Sequence, residues 1–298
     1  MMTLRSMAAI VALTVALGLV GCEKQAPPGV ATVKSADGVS ITYETRGKGE
    51  PVLVFVHCWT CNRGFWDKQI EQFGATHQVV AIDLAGHGDS SKERKDYTVA
   101  AFGADVAAVV NKLDAKKVVL IGHSMGGPVS LEADKLLGER VIGIVGVDTF
   151  YTAFQLPKGE QGEKAVAEFV KPFEQDFPAT ASKLMRSIFA PGADPLLVEL
   201  VAQTSAAADK SMAISAMRNT LTWDVKELDA ALARVAPRLR NINGDAKGDA
   251  KPSHASVVLI KGAGHFPAQE KPAEFNAALE KIVQQFVELS KDGSTDKK

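Results

Sequence analysis

Residues 118–127 constrain the fold of this chain more than any other stretch. Val118-Val119-Leu120-Ile121 is a short apolar, β-branched run that passes directly into Gly122-His123-Ser124-Met125-Gly126-Gly127, and then into a helix-compatible segment with Pro128 in its first turn. A strand that ends in Gly-x-Ser-x-Gly and restarts at once as a helix must turn sharply. Gly122 and Gly126 leave room where a Cβ would clash with neighbouring backbone. Such a turn lifts the Ser124 hydroxyl clear of a sheet edge and sets it beside a helix N-terminus, where developing negative charge is favoured.

The rest of the chain reads in the same style. Further short runs occur at Val52–Val56, Val79–Asp83, Val141–Val147, Leu239–Ile242 and Val257–Ile260. Most are almost continuously apolar, as strands buried on both faces of a parallel sheet should be. Helix-compatible stretches at Val99–Leu113 and Pro128–Leu137 separate them, so the predicted class is α/β, a mostly parallel central sheet with helices on both faces. Ala31 to Arg46 alternates around Asp37-Gly38, which predicts a β-hairpin. After Pro272, the residues Phe275, Leu279, Ile282 and Phe286 fall at helical spacing and predict a C-terminal amphipathic helix. Between 150 and 236 there is no strand pattern, only helix-period stretches carrying Phe154, Phe169, Phe173, Phe177, Phe189 and Trp223. A span this long is not a bare loop, and it is expected as a helical cap inserted over one end of the sheet. The core is then expected over 32–149 and 237–290, with a flexible tail over 291–298.

Composition excludes several alternatives. Of 298 residues, 46% are hydrophobic and 23% charged, which is ordinary for a globular chain and wrong for disorder or a many-span membrane protein. Lys and Arg number 34 against 35 Asp and Glu, so no basic excess points to nucleic acid. Three cysteines are too few for a disulfide scaffold. Cys58 and Cys61 form a C-x-x-C that lacks a second pair for zinc and does not open a thioredoxin-like helix; a local disulfide is allowed there but not required.

The N-terminus carries its own signal. Arg5 precedes an apolar stretch from Met7 to Val20, too short for a comfortable membrane span and suited to a secretory signal peptide over 1–21. It ends in Leu19-Val20-Gly21-Cys22, which resembles a bacterial lipoprotein lipobox. That resemblance implies cleavage before Cys22, lipidation of Cys22, and a lipid-anchored protein on the periplasmic side of the cell envelope. Glu23 at the next position favours the outer over the inner membrane. A polar tether over 22–31, with Pro27-Pro28, would come next.

Three more segments bear on the Ser124 turn. Leu53-Val54-Phe55-Val56 runs into His57-Cys58-Trp59; Asp83-Leu84-Ala85-Gly86-His87-Gly88-Asp89-Ser90 comes after another strand; Gly264-His265-Phe266-Pro267 comes after the last one. With the Gly-x-Ser-x-Gly turn, these resemble the α/β-hydrolase family from about Val33 to Phe286. The resemblance implies a Ser-His-acid triad without metal or organic cofactor. Ser124 is its nucleophile and His265 its base. The N–H groups of Trp59 and Met125 form the oxyanion hole. Cys58 stands where the family usually has Gly, and a side chain there crowds the hole. His57 and His87 are expected to make structural backbone hydrogen bonds, His123 adjoins Ser124 too closely to turn onto it, and His77 and His254 lie in polar, exposed stretches. The acid is open between Asp148, at the end of Val141–Val147, Asp245 and Asp249; Lys247 occupies the family's commonest position.

The predicted activity is hydrolysis of a small to medium apolar ester, thioester or lactone through an acyl-enzyme on Ser124. The cap aromatics and Trp223 supply either an apolar pocket or core packing. Cofactor-free haloperoxidases and C–C bond hydrolases share the triad and stay open. So do a slow or non-hydrolytic ligand-binding or signalling role and a structural envelope lipoprotein. The expected partners are a small-molecule substrate and the membrane through Cys22, not nucleic acid; oligomeric state is not readable.

Overall fold

The computed structural model describes residues 29–150, 156–248 and 256–292. The predicted signal peptide, Cys22, Phe154, Asp249, His254 and the residues beyond 292 lie outside the described residues. Eight strands form one sheet: β1 (Val30–Lys34), β2 (Ser40–Arg46), β3 (Val52–Val56), β4 (Val79–Ile82), β5 (Val118–His123), β6 (Val141–Val147), β7 (Leu239–Asp245) and β8 (Val257–Lys261). Their order is β1-β2-β4-β3-β5-β6-β7-β8. Pairings are parallel from β4 through β8, and β2 runs antiparallel to both its neighbours. The hairpin turn uses Gly38 at φ 83°, with the Val39 N–H donating to the Asp37 carboxylate at 3.2 Å. The strand begins at Val30, inside the segment read from the sequence as tether.

Period-two alternation divides the core between the two faces. Val52, Val54 and Val56 of β3 and Val118 and Leu120 of β5 pack with Val106 and Val109 of α2 (Val99–Lys112) and Val129 and Leu131 of α3 (Gly126–Leu137). The intervening Leu53, Phe55, Val119 and Ile121 pack on the other face. Their partners are Ile70 and Phe73 of α1 (Asp67–Phe73) and Phe275, Leu279 and Phe286 of the C-terminal helix. Each such side chain, fully buried, contributes about 1.5–3 kcal/mol. This two-sided burial is why the strands read as unbroken apolar runs.

Among the described residues, five helices lie between β6 and β7: α4 (Gly159–Gln175), α5 (Phe177–Ser187), α6 (Pro195–Ala206), α7 (Lys210–Lys226) and α8 (Leu228–Val235). Asp176, Asp194 and Asp209 cap α5, α6 and α7, each side chain accepting a backbone N–H of the first turn. Phe173, Phe177, Val201 and Met212 from these helices join the same core cluster as β3, so the layer is fastened to the sheet end. A short α9 (Pro267–Glu270) and the long α10 (Pro272–Asp292) close the chain.

Strand order reverses at β3. The chain goes from β3 to β4 on one side and then to β5 on the other, which opens a crevice beyond the C-terminal ends of β3 and β5.

Candidate active site

Ser124 follows β5 at that crevice in the left-handed region, φ 52°, a conformation that costs a non-glycine residue about 1–3 kcal/mol. The turn is tied on both sides: its N–H donates to Val147 O at 3.0 Å, and its carbonyl accepts from Gly127 N–H at 2.9 Å. A Cβ on Gly122 would lie 2.1 Å from Gly126 O, and one on Gly126 would lie 2.4 Å from Val56 O. The glycines therefore permit the close approach of β5, α3 and β3 that holds the serine in place.

Asp148 lies just past β6, also at positive φ (43°), with its N–H bonded to Ile242 O of β7. One carboxylate oxygen accepts the Gly244 N–H at 2.9 Å; the other stands 2.6 Å from His265 Nδ1. Burial pushes this carboxyl up, but the hydrogen bond and charge of His265, with the Gly244 N–H, outweigh it and hold its pKa below the usual carboxylate value. Of the two described candidate acids, Asp148 is hydrogen-bonded to His265. Asp245 ends β7 with its carboxylate accepting the Gly248 N–H at 2.9 Å, in the turn after that strand.

The His265 loop is fixed by groups the sequence reading missed. Glu270 Oε1 accepts from Gly264 N–H at 2.9 Å and Phe266 N–H at 3.1 Å, one on each side of His265. Its Oε2 accepts the Ala190 N–H at 3.2 Å, and His265 N–H donates to Ile188 O at 2.8 Å, so the loop is bonded to the helical layer as well. With Phe266 as the N-cap of α9 and Glu270 at its fourth position, the sequence carried no capping-box signal for this contact. His123 Nε2 lies 2.7 Å from His265 O.

The loop after β3 has a side chain where crowding was expected. Cys58 is bonded to Cys61, with their Cα atoms 5.3 Å apart, and both are buried. The link encloses Trp59, whose indole N–H donates to Ala213 O of α7 at 2.8 Å and whose ring meets Phe173 and Phe177 edge-on at 5.6 and 6.1 Å. Among the described residues the backbone N–H groups of Trp59 and Met125 donate no hydrogen bond.

One cavity of about 790 Å³ is lined by Ser124, Asp148, His265, Trp59 and Met125 together. Phe150, Phe169, Leu184, Ile188, Met217 and Leu221 make much of its wall. The other described cap aromatics went into packing. Phe173 and Phe177 are core, Phe189 stacks on Phe266 at 4.8 Å, and Trp223 Nε1 donates to Glu132 at 2.9 Å.

The remaining described histidines are structural. Burial drives His57 down to about 4 and His87 and His123 to about 3, so all three are neutral and do not accept protons near neutral pH. His57 Nε2 accepts the Leu84 N–H, and His87 Nδ1 lies 3.0 Å from Ala85 O. His77 is half-buried rather than exposed, beside the Thr76 hydroxyl. The Asp83–Ser90 loop is a framework: Asp83 accepts from Arg63 and Asp89 backbone N–H groups, and Ser90 Oγ donates back to Asp83 O. Among the described residues no group of three or more His, Cys, Asp or Glu is arranged to hold a metal ion. No described helix is long and apolar enough to cross a membrane.

Comparison with known proteins agrees with the fold. Residues 53–278 match the model of the alpha/beta hydrolase family. The 3-oxoadipate enol-lactonase 2 of Acinetobacter baylyi is 26% identical over 262 residues, 85% of this chain and 96% of that protein. A thermophilic esterase from Thermogutta terrifontis superposes with a TM-score of 0.70 at 21% identity, covering 86% of this chain and 98% of that one. A bromoperoxidase from Bacillus anthracis gives 0.71 at 21%, covering 86% and 99%. At this identity the two structures demonstrate a common fold.

Proposed function

This chain belongs to the alpha/beta hydrolase family, and on that premise we propose that it cleaves a small to medium apolar ester, thioester or lactone through an acyl-enzyme on Ser124. The observation that carries the reading is the Asp148–His265 pair opening, with a strained Ser124, onto one mostly apolar cavity. Nε2 of His265 takes the Ser124 proton as Oγ adds to the substrate carbonyl. Asp148, accepting from Nδ1, holds the ring's orientation and stabilises the imidazolium. The two undonated N–H groups of Trp59 and Met125 receive the oxyanion. As the C–O or C–S bond breaks, the same proton passes to the departing alkoxide or thiolate. Water, deprotonated by His265, then adds to the acyl group, and Ser124 leaves as the protonated alcohol.

A serine at the turn fits acyl transfer, and Phe150, Phe169, Leu184, Ile188, Met217 and Leu221 give the cavity a largely apolar wall for an acyl group. We also propose that the chain acts from the cell envelope, anchored through Cys22. The direct test is hydrolysis of p-nitrophenyl butyrate by protein lacking residues 1–22, beside Ser124→Ala. Loss of about 10³-fold or more in the variant supports the reading; equal turnover contradicts it.

A further inference from the structure

Thr220 and Asp224 are among the polar side chains of the cavity wall that the triad does not use. Thr220 and Asp224 stand four residues apart on α7, so they share one helix face, and both line the cavity. Thr220 is 8% exposed, and its hydroxyl has no hydrogen-bond partner among the described residues. The Asp224 carboxylate likewise accepts no hydrogen bond; burial raises its pKa to about 7, with only the charge of Lys158 opposing. Lys158 does not neutralise it by contact. Its ammonium donates to the Asp224 backbone carbonyl at 3.1 Å and pairs with Asp229 at 3.2 Å. Lys158 and Asp229 also line the cavity, so this corner holds two carboxylates against one ammonium.

Buried polar groups are normally satisfied, and the Thr220 hydroxyl is not; the half-buried Asp224 carboxylate beside it is costly to keep charged without a partner. Met217 and Leu221 on the same helix present apolar side chains to the cavity beside them. We infer that Thr220 and Asp224 form a specificity subsite for a protonated amine carried by the substrate at a distance from its scissile carbonyl. The ammonium would complete both acceptors and bring the corner to charge balance. A terminal carboxylate would be repelled there, and a plain alkyl chain would leave both groups unpaired. The inference refines the hydrolase reading, because it places the amine on a substrate whose carbonyl faces Ser124.

Binding tests it without turnover. Ser124→Ala protein is titrated calorimetrically with ethyl 6-aminohexanoate, ethyl 6-hydroxyhexanoate and ethyl heptanoate, which share a chain length and differ in the terminal group. The expected order is amine, then hydroxyl, then methyl, with about tenfold between the ends. Adding Asp224→Asn should remove most of the amine advantage and spare ethyl heptanoate. Adding Asp224→Glu should keep a preference for the amine. Equal binding of all three esters, or an amine advantage that survives Asp224→Asn, would overturn the subsite. Failure of the hydrolase reading would show separately, as absent ester turnover in the unsubstituted protein, and leaves the binding order as the measure of the subsite.

Discussion

The Asp148 carboxylate lies 2.6 Å from Nδ1 of His265, across a sequence separation of 117 residues. Asp148 is held by two strands at once, since its N–H bonds to Ile242 O and its carboxylate accepts from Gly244 N–H. It therefore cannot rotate freely away from the imidazole. Asp148→Asn should lower ester turnover by about 10⁴-fold with little change in KM, because the amide cannot hold the same tautomer. Asp245→Asn should leave kcat within a few-fold of the unsubstituted enzyme. Steady-state kinetics on both variants checks the assignment, and a larger loss in Asp245→Asn would reverse it.

The Cys58–Cys61 bond encloses Trp59, whose N–H we propose receives the oxyanion. Replacing both cysteines by alanine should displace that donor rather than delete it. Turnover should fall by about 10–100-fold, less than for removal of a dedicated donor. Far-UV dichroism should be unchanged, since β3 and its neighbours do not depend on the link. Undiminished turnover in the double variant would show that the indole contacts with Ala213, Phe173 and Phe177 hold the loop unaided.

Glu270 satisfies three backbone N–H groups around His265 and Ala190. Glu270→Ala should cost about 1–3 kcal/mol of stability and lower kcat, with KM little affected, because the base loses its position. Glu270→Gln keeps an acceptor oxygen and should recover a large part of both. Urea unfolding together with kinetics separates the two effects; a stability loss with unchanged kcat would make Glu270 structural only.

Asp224 links stability to pH. Its folded-state pKa is raised from 3.8 to about 7, so between those values the folded chain keeps a proton that the unfolded chain has released. Stability contributed by that proton is present at low pH and is lost as pH rises through about 7. Asp224→Asn should therefore melt a few degrees above the unsubstituted protein at about pH 8, and the gap should shrink towards pH 5. Calorimetric melting at the two pH values checks this; a gap that widens on acidification has the wrong sign.

Much of the fold was legible because the strands are buried on both faces and punctuated by turn residues. The Asp37-Gly38 hairpin and the β5 junction could be located within a residue or two. α1 was missed: it spans only seven residues, Asp67–Phe73, and has no capping side chain. The acid was not separable by sequence, since Asp148 and Asp245 both end strands. Only the β6–β7 register, with Asp148 N–H on Ile242 O, sets which carboxylate meets the loop after β8. Trp223 shows the same limit from the other side. Helical spacing put it on an apolar face, but the indole N–H found Glu132 on α3 and left the cavity to Met217 and Leu221. Asp224 gave no signal, because whether a carboxylate on a long helix faces solvent or a cavity depends on how five helices pack.

The central claim is that Ser124 is an activated nucleophile. Intact-mass spectrometry of protein lacking residues 1–22, after exposure to a fluorophosphonate, tests it most directly. The account predicts one adduct, located on Ser124 and absent in His265→Ala and in Ser124→Ala. Well-folded protein that gains no adduct, or an adduct that forms as fast without His265, would contradict it.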